Sequence, residues 1–226
     1  MAAPKRGFFG WAWLITWSGT LLLALCLVVL RFVPPPTSSF MLQSPYPVSY
    51  QWIDIDKLPS RVPLALVASE DQHFPAHFGL DLTSITDALT QHDQGKDLRG
   101  ASTITQQTAK NLFLWSGRSY VRKGLEAMLA VSIEVIWGKK RILEVYLNVA
   151  EFGKGIYGVE AASLHYFDKS ARYLSIDEAA QLAVLLPSPR KRNPHDLTPY
   201  LQQRVSWVKR QMRQLGSDYL TPILND

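Results

Sequence analysis

Tyr120-Val121-Arg122-Lys123-Gly124-Leu125-Glu126-Ala127-Met128-Leu129-Ala130-Val131-Ser132-Ile133-Glu134-Val135-Ile136-Trp137 reads as one helix. Residues 127–133 carry no charge on any face, and a helix apolar all round belongs in the middle of a domain. Arg122, Lys123 and Glu126 then stand where this central helix emerges from the core. Their i,i+3 and i,i+4 spacing puts them on one side, open to the same cavity. Arg122 precedes Glu126, the weaker order for a helical ion pair, which counts against a role in stability alone.

Outward from this helix, apolar residues recur at threes and fours over 63–70, 82–91, 104–114, 139–149, 159–166, 176–186 and 200–215. No sustained alternation rivals that period. Pro63 suits a first helical turn, Asp177 and Glu178 suit a helix beginning, and Pro187 stops the segment they open. A short strand is expected within 46–53. The fold class is therefore all-α, with its elements around a groove and not in a simple four-helix bundle. Residues 45–226 are enough for one sizeable core.

The amino-terminal part has a different character. Residues 7–30 hold no charge, and 24 helical positions cover about 36 Å against a hydrocarbon core of ~30 Å. The organisation this implies is a basic cytoplasmic end at 1–9, a transmembrane helix at 10–33, a proline-rich spacer at 34–44 and a folded domain at 45–226. Lys5 and Arg6 precede the apolar run, so the expected topology is single-pass in a bacterial inner membrane, amino terminus inside, domain on the periplasmic side. The run is long for a signal peptide and no small-residue cleavage site follows it. The lone Cys26 lies within it, so no disulfide is expected in the domain.

The formal charge is +5, with 24 basic and 19 acidic residues. Lys5, Arg6 and Arg31 account for three of the basic ones, leaving 21 against 19, a net +2 beyond the apolar run. That is poor support for nucleic-acid binding. The basic groups gather at Arg122-Lys123, Lys139-Lys140-Arg141 and Arg190-Lys191-Arg192, patches suited to phosphate or anionic headgroups.

Two further stretches carry candidate chemistry. Glu70-Asp71 is a carboxylate pair at a helix end, and Gly100-Ala101-Ser102-Thr103-Ile104-Thr105-Gln106-Gln107-Thr108-Ala109-Lys110-Asn111 is a hydroxyl- and amide-rich loop running into a helix that carries a lysine. Such a loop suits a polar, phosphate-bearing ligand. His73 and His77 are four apart, but Pro75 between them makes a shared helical face and a metal site unconvincing.

These motifs, in order, resemble the glycosyltransferase family that polymerises peptidoglycan, and within it the monofunctional biosynthetic transglycosylases. Glu70-Asp71-Gln72-His73-Phe74-Pro75-Ala76-His77-Phe78-Gly79 is similar to its first motif and 100–111 to its second. Arg122-Lys123-Gly124-Leu125-Glu126 is similar to the third, and 140–148 and 155–167 to two more. The likeness runs over 45–213, and the chain departs from it at Asp168-Lys169, where the family commonly has Gly-Lys.

The resemblance implies a lysozyme-like, two-lobed fold and transfer of sugar from a lipid diphosphate. Lipid II and the growing lipid-linked glycan are the substrates, the product is a β-1,4 glycan strand, and undecaprenyl diphosphate leaves with inversion at the donor sugar. Glu70 is the expected general base and Glu126 the second catalytic carboxylate, orienting the cations or holding a divalent ion against the diphosphate. Lys110, Arg122, Lys123 and Arg190 are expected on the diphosphate. Asp71, Ser102, Thr103, Gln106, Gln107 and Asn111 are expected to bind substrate oxygens or order the loop. No tightly bound cofactor and no protein metal cage is expected; Mg²⁺ or Mn²⁺ would come associated with substrate diphosphate. Membrane lipid and other wall-synthesis proteins are the remaining partner classes. The alternatives are a lysozyme-like cell-wall glycosidase, which shares the carboxylate logic, and a non-catalytic membrane scaffold of wall synthesis.

Overall fold

The computed structural model describes residues 8–93, 102–117 and 119–225. It is mostly helical: α1 (Phe8–Phe32), α2 (Ser39–Leu42), β1 (Ser49–Tyr50), α3 (Arg61–Glu70), α4 (Leu82–Asp93), α5 (Ile104–Phe113), α6 (Tyr120–Trp137), α7 (Lys139–Val149), β2 (Glu151–Gly153), β3 (Ile156–Tyr157), α8 (Val159–Phe167), α9 (Ile176–Ala183), α10 (Pro199–Leu215) and α11 (Thr221–Leu224). This agrees with the helical, lysozyme-like expectation. The periodicity located the long helices to within a few residues.

β1 falls within the strand expected at 46–53, but the three-stranded sheet it joins was outside the all-α reading. The sheet has the order β1-β3-β2, with β1 parallel and β2 antiparallel to β3. Strands of two or three residues are too short to print an alternation, and their pairing is long-range. The β2–β3 hairpin turns through Gly155 at φ +76°, and Gly158 at φ +85° starts α8. Only glycine takes these conformations without strain.

Helix α3 is well enclosed: its residues 62–68 are all buried, packed against α9 and α10. The expected central helix, α6, is buried on one face only. Leu129, Ala130, Ile133 and Trp137 point inward, while Met128, Val131 and Val135 remain exposed. Uncharged composition says that a helix can be covered; the neighbours decide which faces are. Leu112 and Leu114, at the end of α5, belong to the core, and Trp115 is exposed. Asn148 acts as a fastener: its amide bonds the backbone N–H and carbonyl of Ile53, each at 2.9 Å.

The amino-terminal expectation requires correction. Among the described residues no helix is long and apolar enough to cross a membrane, so the transmembrane helix at 10–33 and the inner-membrane topology built on it are not supported. Within α1, Thr16, Ser18, Gly19 and Thr20 break the apolar run, and the Ser18 and Thr20 hydroxyls turn back on the carbonyls of Leu14 and Thr16. Its carboxyl-terminal turns are docked on the domain: Leu27 is buried and its carbonyl accepts from Trp137 Nε1 at 2.7 Å, while Arg141 donates to the Leu30 and Val33 carbonyls. Lys5 and Arg6 lie outside the described residues. The proline-rich stretch is likewise no free spacer. Ser38 caps α2, Met41 is buried, and the Tyr50 and Tyr157 hydroxyls donate to the Pro35 and Phe40 carbonyls.

Asp168, where the resemblance shows a departure, adopts left-handed backbone at φ 54°, ψ 31° and ends α8. Aspartate is among the side chains that tolerate this region, so the turn survives without glycine. A sterner requirement holds at Gly155, where an added Cβ would stand 2.2 Å from the Pro47 carbonyl oxygen. Gly155→Ala is expected to lower stability by roughly 1–3 kcal/mol through backbone strain and displacement of 46–50. Thermal unfolding followed by circular dichroism measures it, and an unchanged melting temperature would show that the 46–50 segment yields freely.

Candidate active site

Helix α3 delivers Glu70 to its own carboxyl-terminal end, and the next residue locks that end in place. Asp71 is buried; one carboxylate oxygen accepts from the Ile104 N–H at 2.8 Å, and both face His77 Nε2, at 2.9 and 3.1 Å. The first turn of α5 is thereby tied beside Glu70. Asp71 thus spends its acceptors on protein partners, and His77 braces the segment.

The start of α5 follows from a capping box. The Thr103 hydroxyl accepts from the Gln106 N–H and the Gln106 side chain accepts from the Thr103 N–H, both at 3.1 Å. The same hydroxyl donates to the Gly79 carbonyl at 2.6 Å. Thr103 and Gln106 are both buried, so these two residues order the loop. One turn on, Gln107 donates from Nε2 to Glu70 at 3.0 Å, and its Oε1 accepts from the Tyr146 hydroxyl at 3.2 Å. Gly100 and Ala101 of this motif lie outside the described residues.

The first turns of α6 bring the cations. Ser119 caps the helix, and Glu126, buried, accepts from Arg122 at 2.8 Å and from Lys123. Lys123 also donates to Ser102 at 3.0 Å. Arg122 Nε is buried with no hydrogen-bond partner among the described residues. Arg190 comes from the loop after α9; it pairs with Glu151 at 2.9 Å and stacks 5.6 Å from the Tyr46 ring centre.

Two hollows adjoin at the Glu70–Gln107 bond. One, of about 240 Å³, is lined by Glu70, Asp71, His73, Asp81, Ser102 and Thr103 among others. The other, of about 340 Å³, is lined by residues that include Gln107, Lys110, Asn111, Glu151 and Arg190. Glu70 thus lines one hollow and Lys110 and Arg190 the other, while Arg122 and Lys123 line a third with Ser119 and Tyr120.

Charge and burial oppose each other here. Burial pushes the Glu70 pKa up, whereas the Gln107 donor and the charges of Arg204, Lys110 and Arg192 pull it back. Burial likewise lowers the Lys110 pKa, Glu126 works against that, and Arg122 and Lys123 add to it. Lys110 senses Glu70 as well, so the carboxylate and the basic cluster form one electrostatic unit.

Several participants escaped the sequence reading. Arg204, on α10, acts on Glu70 by its charge and donates to the Ser69 carbonyl at 3.4 Å; no local motif marks it. Glu134 is buried and accepts from the Gly79 N–H at 3.0 Å and from Thr105 and Lys139, each at 2.7 Å. Its signal was an acid among apolar neighbours in α6. Tyr146 is buried as expected of a core residue, yet its hydroxyl reaches the site. His73, 61% exposed, is held by Asp81 at 2.9 Å.

The residues do not fit a protein-held divalent ion. Both oxygens of Glu126 are already taken by Arg122 and Lys123, and among the described residues no group of three His, Cys, Asp or Glu side chains could hold a metal.

With this geometry established, comparison with known proteins becomes informative. The family described as Transglycosylase matches residues 39–213. The chain is 74% identical over 226 residues to a biosynthetic peptidoglycan transglycosylase of Shewanella frigidimarina (strain NCIMB 400), covering 100% of both chains. It is 68% identical over 224 residues to that of Marinomonas sp. (strain MWYL1), covering 99% of this chain and 100% of the relative. It is 51% identical over 211 residues to that of Xylella fastidiosa (strain 9a5c), covering 88% and 87%.

The coupling of Lys110 to Glu126 yields a direct test. Glu126→Gln removes the negative charge that supports the Lys110 ammonium, so Lys110 should titrate at lower pH than in the parent chain. Side-chain nitrogen NMR through a pH series follows it; an unmoved titration would separate the two groups.

Proposed function

Because the chain belongs to the transglycosylase family, we propose that it polymerises lipid-linked disaccharide-peptide into β-1,4 glycan strands of peptidoglycan. Undecaprenyl diphosphate is released, with inversion at the donor sugar. The observation that carries the reading is the electrostatic coupling of Glu70 to Lys110 and of Lys110 to Arg122 and Lys123, with Arg190 lining the same hollow as Lys110.

In this reading Glu70 takes the proton from the 4-hydroxyl of the acceptor N-acetylglucosamine as its oxygen forms a bond to C1 of the donor. The bond from C1 to the diphosphate oxygen breaks, and its electron pair leaves with the diphosphate. An alcohol is a poor nucleophile, so the step needs a base at that oxygen. Burial strengthens Glu70 as a base, while Gln107 and the nearby cations keep it ionised.

Lys110, Arg122 and Lys123 receive the growing negative charge on the leaving group, and Arg190 adds to the field from the opposite wall. The unpartnered Nε of Arg122 supports this assignment, because a buried donor without an acceptor is costly and a phosphate oxygen would satisfy it. Glu126 holds Arg122 and Lys123 in position. Ser102 and Asn111 are left to contact substrate oxygens. Mg²⁺ or Mn²⁺, in this reading, is bound by diphosphate oxygens and not by a cage in the chain. Wall-synthesis proteins are the partner class that the activity calls for.

Purified protein in detergent, given lipid-linked disaccharide-peptide, is expected to form glycan chains separable by length. Glu70→Gln should reduce the rate by roughly 10²–10⁴-fold, the usual contribution of a positioned base. Cleavage of a soluble glycan without polymer formation would instead favour a glycosidase, and full activity in Glu70→Gln would favour a scaffold. The raised pKa also sets a sign: the base works ionised, so activity should rise with pH through a limb above the ordinary glutamate value of 4.5. A limb at or below that value would remove burial as the tuning force.

A further inference from the structure

Glu70 is contacted through an amide whose two ends are chemically opposite. Gln107 Nε2 can only donate and its Oε1 can only accept. With nitrogen toward the carboxylate it stabilises the ionised base; with oxygen toward it, two acceptors face each other. Something must choose between the two orientations, which differ little in shape.

Tyr146 makes that choice from beneath the site. It projects from α7, its side chain is fully buried, and its hydroxyl meets Gln107 Oε1 at 3.2 Å. Burial and the negative charges of Glu70 and Asp71 push its pKa well above the ordinary phenol value. The phenol is therefore protonated throughout the working range and presents a donor. The hydroxyl donates to the amide oxygen, and the arrangement that uses this bond turns the nitrogen to Glu70, where it stands 3.0 Å away. Three helices contribute one member each: α7 the phenol, α5 the amide, α3 the carboxylate.

We infer that Tyr146 is a positioning residue for the transfer, its hydroxyl fixing Gln107 as a hydrogen-bond donor to Glu70. The inference rests on the reading of Glu70 as the base, and it assigns to a residue of the apolar core a part in the chemistry of the cleft. Loss of the hydroxyl frees the amide to rotate. The carboxylate then loses a donor that lowered its pKa, and the sign follows: Glu70 holds its proton to higher pH.

Tyr146→Phe keeps the ring and removes one oxygen. In the full chain it should move the acid limb of kcat/KM upward by on the order of one pH unit, the scale of one charge-assisted hydrogen bond. At a pH below the limb that is about a tenfold loss, since each unit changes the ionised fraction tenfold. KM for the lipid-linked substrate should stay near its parent value. Gln107→Leu should produce a similar shift, and the double variant no more than either single one. Melting temperatures taken alongside separate folding from positioning, because a structural role lowers activity without moving the limb. If Tyr146→Phe does not fold, the limb of Gln107→Leu decides: an unmoved limb ends the inference. Parent-like limbs in both variants, or additive shifts in the double one, would overturn it while Glu70→Gln inactivity left the base assignment standing. Activity retained in Glu70→Gln would remove that assignment itself.

Discussion

The cleft depends on a carboxylate that is not the proposed base. Asp71 accepts from the first N–H of α5 and from His77, both at distances below 3 Å, at the point where the buried helix α3 ends. A helix amino terminus has unsatisfied N–H groups and a positive dipole end. A buried aspartate meets both needs and in doing so fastens α5 to α3. Glu70 and Gln107 come within hydrogen-bonding distance because of that joint, and Lys110 lies one turn further along the same helix.

The remainder of the site is a balance between desolvation and charge. Enclosure pushes the Glu70 pKa up and the Lys110 pKa down. Each is opposed by neighbours of the other sign: Lys110, Arg192 and Arg204 for the glutamate, Glu126 for the lysine. Glu126 is itself saturated by Arg122 and Lys123. The basic cluster can therefore be packed densely without a separate counterion for every member, and its residual positive field points into the cleft.

Much of the helical layout was legible because long amphipathic segments write their period into the chain. The 139–149 and 159–166 expectations fell almost on α7 and α8. Where signals were short or symmetrical, legibility failed. The strands of the small sheet had no length in which to alternate, and residues 127–133 of α6 had no charge with which to mark the exposed face. The amino-terminal apolar run gave a membrane-spanning expectation that the structure does not support, since composition did not register how α1 docks through Leu27, Trp137 and Arg141. The proline stretch was misread for the same reason, its partners Tyr50 and Tyr157 lying far along the chain.

By itself the sequence determined the chemical inventory: the Glu70-Asp71 pair, the hydroxyl and amide loop into Lys110, and the Arg122-Lys123-Glu126 triplet. These are local facts, written in side-chain type and in spacing along one helix or turn. Only the tertiary structure decided that Asp71, Thr103 and Gln106 turn inward as fasteners, that Arg204 and Glu151 join the cleft, and that the Tyr146 hydroxyl reaches it. Those are relations between elements distant in sequence, and hydrogen-bond direction, burial and charge coupling exist only once packing has brought the partners together.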